Sequence, residues 1–253
     1  MMNEELKKQL RNRRICVVIP TYNNDKTIKT VVEKCLLYCD DVIVVTDGCT
    51  DRTTDILHAI DGITIVSYAQ NRGKGYALKM GFRKALEMGY SYVITLDGDG
   101  QHYPEDIPLF LKANQEHPQS LIIGSRPLEG VDRSKGSSFA NKFSNFWFYV
   151  QTGRALPDTQ TGYRLYPLHR LHGLSLLTSR YEAELELLVF ASWHGVKLVP
   201  IPVQVYYPPR NERVSHFRPG KDFARISVLN TVLCFLAVIY GLPLRLCRAL
   251  MTI

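Results

Sequence analysis

The first 125 residues alternate short β-rich runs with amphipathic stretches, and this alternation limits the chain to a narrow set of folds. Ile15–Ile19, Val42–Val45, Ile63–Val66, Tyr92–Leu96 and Leu121–Ile123 read as buried strands. Asp25 is the expected N-cap of a helix carrying Ile28, Val31, Val32 and Cys35 on one face. A short helix is expected near Arg52–His58. Gly75 to Met88 carries Leu78, Phe82, Ala85 and Leu86 at helical spacing, and Gly89 stops it. Strands separated by helices imply crossover connections, hence an α/β fold with a mostly parallel, doubly wound sheet. Ligands in such sheets bind beyond the C-terminal strand ends. The second half is less regular. A Gly/Ser/Lys segment near Ser134–Ser138 precedes the aromatic FSNFWFYV and then DTQTGYRLY. A helix at Glu182–Trp193, a strand-like KLVPIPVQV and a Pro/Arg-rich loop follow.

The 253 residues are 45% hydrophobic and 22% charged, which excludes a disordered tail, a collagen-like repeat and a multi-span membrane protein. The net charge of +7 is unevenly placed. From Arg210 onward there are seven basic residues against Glu212 and Asp222, in the stretch that also holds the uncharged run Ile226–Leu244. That run reaches the roughly 18 residues of a spanning candidate. A spanning helix, a helix lying in the interface and a buried C-terminal helix all stay open. A basic, apolar tail predicts a membrane surface as partner rather than nucleic acid, for which no recognition module is present. The charged N-terminus carries no secretory h-region, and the six cysteines lack zinc-site spacing, so reduced thiols in a cytosolic compartment are expected.

The chemistry gathers at strand ends. Asp97-Gly98-Asp99-Gly100-Gln101-His102 leaves the fourth strand, and two carboxylates one residue apart on a glycine turn can reach a single hard cation. Such a cation would also carry water and substrate phosphates, and Gln101 or His102 could fill a further position. Pro20, Tyr22 and Asn24 follow the first strand, Asp47 ends the second, and Asn71-Arg72-Gly73-Lys74-Gly75 follows the third. These groups emerge at one edge of the sheet. Asp47 could accept hydrogen bonds from a base or ribose, and Arg72 and Lys74 at a helix N-terminus could hold a diphosphate. The dinucleotide and P-loop glycine patterns are both absent, and no hydrolase triad is supported.

VVIPTYNN, VIVVTDGCTD, NRGKGYAL, LDGDGQH, GSR and DTQTGYRLY, in this order, resemble the inverting GT-A glycosyltransferases of family 2, nearest to the dolichol- or polyprenyl-phosphate mannose synthase type. The resemblance spans about residues 14–210. It implies a GT-A-like sheet, a nucleotide-diphosphate-sugar donor and a divalent metal, Mg²⁺ or Mn²⁺. By that resemblance Pro20, Tyr22, Asn24 and Asp47 contact the nucleoside, while Asp97, Asp99 and Gln101 bind metal and diphosphate. Arg126 of GSR sits near the donor phosphates, and Asp158 to Arg164 shape the sugar and acceptor side. Asn24, Thr46 and Cys49 depart from the family's P-T-Y-N-E and D-D-G-S, and Gly98 stands where Ala is usual. A transferase domain over residues 1–222 and a membrane-associating segment over 223–253, at the cytoplasmic face of the cell membrane, are expected.

An acceptor that is a lipid phosphate is already an anion and needs cations, with Arg164, Arg210 and Arg213 as candidates. A hydroxyl acceptor, soluble or on a glycan, needs a carboxylate base, for which Glu184 and Glu186 are the candidates. A non-catalytic nucleotide-sugar-binding protein is the remaining class, and the intact Asp97 and Asp99 argue against it.

Overall fold

The computed structural model describes residues 2–126, 135–171, 173, 176–207 and 219–251. The elements run α1 (Met2–Asn12), β1 (Ile15–Thr21), α2 (Ile28–Tyr38), β2 (Val42–Asp47), α3 (Thr53–His58) and β3 (Ile63–Tyr68). There follow α4 (Lys74–Glu87), β4 (Tyr92–Thr95), α5 (Ile107–Glu116), β5 (Leu121–Ser125), α6 (Lys135–Thr152) and β6 (Arg164–Pro167). Then come α7 (Leu168–Leu171), α8 (Glu182–Trp193), β7 (Leu198–Pro202), α9 (Pro219–Leu236) and α10 (Leu242–Met251). The seven strands form one sheet in the order β3-β2-β1-β4-β6-β5-β7. All pairings are parallel except those of β6, which runs antiparallel to both β4 and β5.

This topology places the site. β1 and β2 are buried along their whole length, as uninterrupted apolar runs in a parallel sheet covered on both faces must be. From β1 the chain winds outward to β2 and β3, then crosses back to lay β4 on the other side of β1. The crevice of such a reversal lies beyond the C-terminal ends of β1 and β4, where loops leave in opposite directions. β6 pairs Arg164 with Thr95, so its antiparallel direction brings the preceding DTQTG loop to the same edge. Thr95 fixes that loop by donating to the Gly162 carbonyl at 2.7 Å.

All five expected strands are present, with β1, β2, β3 and β5 running on past their expected ends, and Ile28, Val31, Val32 and Cys35 of α2 are buried against the sheet. The cap of α2 differs from expectation. Thr27, not Asp25, precedes its first turn and makes no side-chain cap bond. The Thr27 hydroxyl instead donates to the Gly98 carbonyl at 2.7 Å, which ties the helix start to the DGDG turn. The aromatic stretch lies in α6, and the Pro/Arg-rich loop from 208 to 218 lies outside the described residues.

The stretch Asp222–Arg248 is long and apolar enough to cross a membrane, by length and composition. It is packed along one side on α6 and α8, through Leu229, Leu233 and Ala237. The expected boundary at 222 falls inside α9. Three of its polar residues turn inward. Asn230 accepts from Gln151 Nε2 at 2.9 Å, Arg245 donates to the Thr152 carbonyl at the end of α6, and Arg248 lies over Gly195 past the end of α8. Cationic groups there complement the carbonyl ends of both helices. The outward face is apolar: Val228, Phe235, Val238, Leu246 and Leu250 are each more than 60% exposed. Gly241 permits this docking, since a Cβ there would stand 2.6 Å from the Trp193 ring. Gly241→Val should therefore cost about 1–3 kcal/mol of stability by overpacking, read as a lower denaturation midpoint in urea; an unchanged midpoint would refute the close contact.

Candidate active site

An open cavity of about 210 Å³ lies beyond the ends of β1, β2 and β4. Its floor on the β1 side is Pro20, Tyr22 and Asn24, and on the β2 side Asp47. Lys74, Asp97, Gly98, Asp99 and Gln101 complete its centre. Every one of these was singled out in the sequence, and the reversal at β1 brings them to one place.

Asp47 is buried and both its oxygens are engaged: the backbone N–H groups of Arg72 and Gly73 donate to them at 2.7 and 2.8 Å. The carboxylate thus latches the loop before α4 to the end of β2, and Asp47 also lines the cavity. The Arg72 side chain turns elsewhere, its guanidinium lying 3.7 Å over the Tyr76 ring and donating to the Tyr76 hydroxyl at 2.6 Å. Only the Arg72 backbone serves the site. Arg180, which the sequence did not single out, supplies a second cation among the described residues of the cavity, steadied by its bond to Asn71 Oδ1 at 3.2 Å. Its sole sequence cue was its place just ahead of a helix N-terminus.

Asp97 and Asp99 differ in environment. Lys74 Nζ lies 2.7 Å from Asp97 Oδ1 and 2.8 Å from Glu184 Oε2. Burial alone would raise the Asp97 carboxyl, but the Lys74 ammonium outweighs it and holds it below the usual range. Burial would conversely lower Lys74, and the two carboxylates keep it charged. Asp99, without such a partner, is raised to about 6 by burial and by the adjacent Asp97 charge. Its Oδ1 accepts the Gln101 N–H at 3.0 Å, closing the turn for which Gly100 adopts φ +78°. His102 Nδ1 accepts the Asp97 N–H at 3.3 Å, and burial lowers its pKa to about 4, so the ring is neutral.

Other expectations are redirected. Arg164 is fully buried and donates to the carbonyls of Thr159 and Glu184, each at 2.9 Å. It braces the DTQTG loop against α8 and does not line the cavity, so it cannot collect an acceptor from solvent. Arg126 is clasped by Asp158, with Nε to Oδ2 at 2.5 Å and Nη2 to Oδ1 at 2.8 Å. Glu186 is buried and accepts from the N–H groups of Leu177 and Thr178 and from the Thr178 hydroxyl, so it is a loop cap rather than a free base. Glu184 is committed to Lys74. Arg210 and Arg213 lie outside the described residues.

A mostly parallel sheet with paired aspartates beyond its central strand, facing an open polar cavity, defines a GT-A-like glycosyltransferase. The sequence profile of glycosyl transferase family 2 matches residues 16–166, and the chain belongs to that family. It is 30% identical over 208 residues to the polyprenol monophosphomannose synthase of Mycolicibacterium smegmatis, covering 76% of this chain and 77% of that one. It is 28% identical over 215 residues to the UDP-N-acetylglucosamine–dolichyl-phosphate N-acetylglucosaminyltransferase of Methanococcus voltae, covering 76% and 86% of the two chains. The fold is shared with glucosyl-3-phosphoglycerate synthase from Mycobacterium tuberculosis in complex with Mn²⁺, uridine diphosphate and phosphoglyceric acid. There the TM-score is 0.69 at 19% identity, over 93% of this chain and 82% of that one.

Because Asp47 satisfies two backbone donors, Asp47→Ala should leave both unpaired and cost about 1–3 kcal/mol. Urea denaturation of the variant measures this, and wild-type stability would rule out the latch.

Proposed function

We propose that the enzyme transfers one sugar from a nucleotide-diphosphate-sugar to a lipid-linked acceptor, a polyprenyl phosphate or related glycolipid, at a membrane surface. The observation that carries this reading is that Asp222, in the first turn of the apolar α9, lines the same cavity as Asp97 and Asp99. The donor site and the apolar helix therefore share a wall. The relatives named for polyprenol and dolichyl phosphate acceptors support the same acceptor class.

The outward apolar face of α9 and α10 supports membrane association. In water, a helix with arginines at 245 and 248 would turn them to solvent and bury Leu246 and Leu250; here the reverse holds. Packing of one side on α6 and α8 favours a helix lying in the interface over one that spans. The cytoplasmic face is the side on which a nucleotide-sugar is available.

The residues suit Mg²⁺ or Mn²⁺. Asp97, Asp99 and Gln101 offer hard oxygen donors at one turn, and Lys74, shared with Glu184, only partly compensates Asp97. Among the described residues no cluster of three or more His, Cys, Asp or Glu side chains could hold an ion alone, so phosphate and water would complete the coordination. When bound, the ion would supply positive charge to the leaving diphosphate. In the transfer, an acceptor phosphate oxygen forms a bond to the sugar C1 as the C1–O bond to the diphosphate breaks, and the electron pair leaves on the diphosphate. Lys74 and Arg180 would face that developing charge. No base is needed for an anionic acceptor. A hydroxyl acceptor would need one, and Glu184 and Glu186 are both already engaged, which weighs against that reading.

Incubating the enzyme with labelled nucleotide-sugars, Mn²⁺ and polyprenyl phosphate should place label in the lipid fraction. Asp99→Asn should abolish it, and Mn²⁺ binding without nucleotide should weaken as pH drops through about 6, because the metal-free Asp99 takes up a proton there that the cation must displace. Label in no lipid fraction would favour the hydroxyl-acceptor reading, and unchanged turnover in Asp99→Asn would sink the metal assignment. Leu246→Glu combined with Leu250→Glu should release the protein from anionic vesicles in flotation; undiminished co-flotation would count against the apolar face as the contact.

A further inference from the structure

We propose that Lys74 is the resident counter-ion of Asp97, that it competes with a divalent cation for that carboxylate, and that Glu184 is the second seat to which Lys74 withdraws when the cation arrives. The inference rests on the metal assignment above. Lys74 bridges the two carboxylates at 2.7 and 2.8 Å, and its side chain and that of Glu184 are both largely shielded, 15% and 9% exposed. Two carboxylates sharing one ammonium in a shielded site leave each only partly compensated, so a second cation is accommodated without leaving Lys74 unpaired.

The backbone around the triad is built for this contact. A Cβ on Gly162 would stand 2.6 Å from Lys74 Nζ and 2.8 Å from Asp97 Oδ2, so any larger residue there would displace the ammonium or the carboxylate from their contact. A Cβ on Gly75 would fall 2.9 Å from the Ser179 carbonyl carbon, and the Tyr76 N–H donates to the Ser179 oxygen at 2.8 Å. The first turn of α4 is thus seated directly on the turn that leads into α8, which is what brings Lys74 to Glu184. Glu184 also has capacity to spare: its Oε1 is buried without a hydrogen-bond partner among the described residues. Arg164, through its bond to the Glu184 carbonyl, holds that seat in place. Glu184 is accordingly a positioning residue. It keeps Lys74 in the cavity wall, where the ammonium released from Asp97 meets a diphosphate, so that cation and donor each favour the binding of the other.

The test is Mn²⁺ binding, followed by the loss of the free-ion electron paramagnetic resonance signal, on the full chain without nucleotide or turnover. Lys74→Met should tighten Mn²⁺ about tenfold by removing the competitor, and Lys74→Arg should restore weak binding. Glu184→Gln should weaken Mn²⁺ about threefold, because Lys74 is then confined to Asp97. In the Lys74→Met background the same Glu184→Gln change should have no further effect, since Glu184 acts only through Lys74. Equal or weaker binding in Lys74→Met overturns the proposal, and so does a Glu184→Gln loss of the same size in both backgrounds, which would make Glu184 a ligand or a general source of charge. If Lys74→Met fails to fold, Glu184→Gln decides alone: unchanged or tighter Mn²⁺ overturns the competition. A wild-type protein that binds no Mn²⁺ even with uridine or guanosine diphosphate present sinks the metal assignment itself, and this proposal with it.

Discussion

The ammonium of Lys74 between Asp97 and Glu184 is the interaction on which the arrangement of the site depends. Removing three charged groups from water costs several kcal/mol per ion, and only close mutual contact repays it. The close contact in turn demands that three chain segments meet without side chains intervening: the start of α4 at Gly75, the DTQTG loop at Gly162, and the turn entering α8. Arg164, itself fully buried, bonds to a carbonyl of the DTQTG loop and to one in the first turn of α8, and so fixes their spacing. A charged network at the sheet edge thus joins the first half of the chain, which carries the strand-end motifs, to the second, which carries Glu184.

The sheet topology is what allows those halves to meet. Parallel strands deliver Pro20, Asp47 and Asp97 to one edge, and the antiparallel β6 delivers the loop before it to that same edge from the opposite direction. Beyond β6 the chain enters α8, whose inner face is covered by α9, and α9 opens with Asp222 in the cavity wall. The order of elements therefore carries a polar reaction site into contact with an apolar helix. That proximity is the physical basis for reading the chain as a glycosyltransferase that works on a lipid-borne acceptor.

The C-terminal arginines show how local charge misleads. Read as a sequence, Arg245 and Arg248 flank an apolar run and promise contacts with anionic lipid. In the fold they turn inward to the ends of α6 and α8, and leucines take the outer face. The N-terminus, read in the sequence only as charged and without a secretory h-region, is also structured. It forms α1, anchored by a buried Leu10 and by Lys7 on Asp40 at 2.8 Å. Arg180 was missed for a related reason: one arginine before a helix has no periodicity to mark it.

The strand–helix alternation, the buried face of α2 and the gathering of Pro20, Tyr22, Asn24, Asp47, Lys74, Asp97 and Asp99 beyond the strand ends were legible along the chain. Those are consequences of hydrophobic period and of glycine and carboxylate spacing, which are local along the chain. Only the tertiary structure decided which charges are free. It engaged Asp47 with backbone donors, buried Arg164, clasped Arg126 with Asp158, made Glu186 a loop cap and set Lys74 between two carboxylates. Ion pairs and inward-turned arginines join residues as far as 110 positions apart, from Lys74 to Glu184. Their partners are chosen by packing and desolvation, which no spacing rule along the chain records.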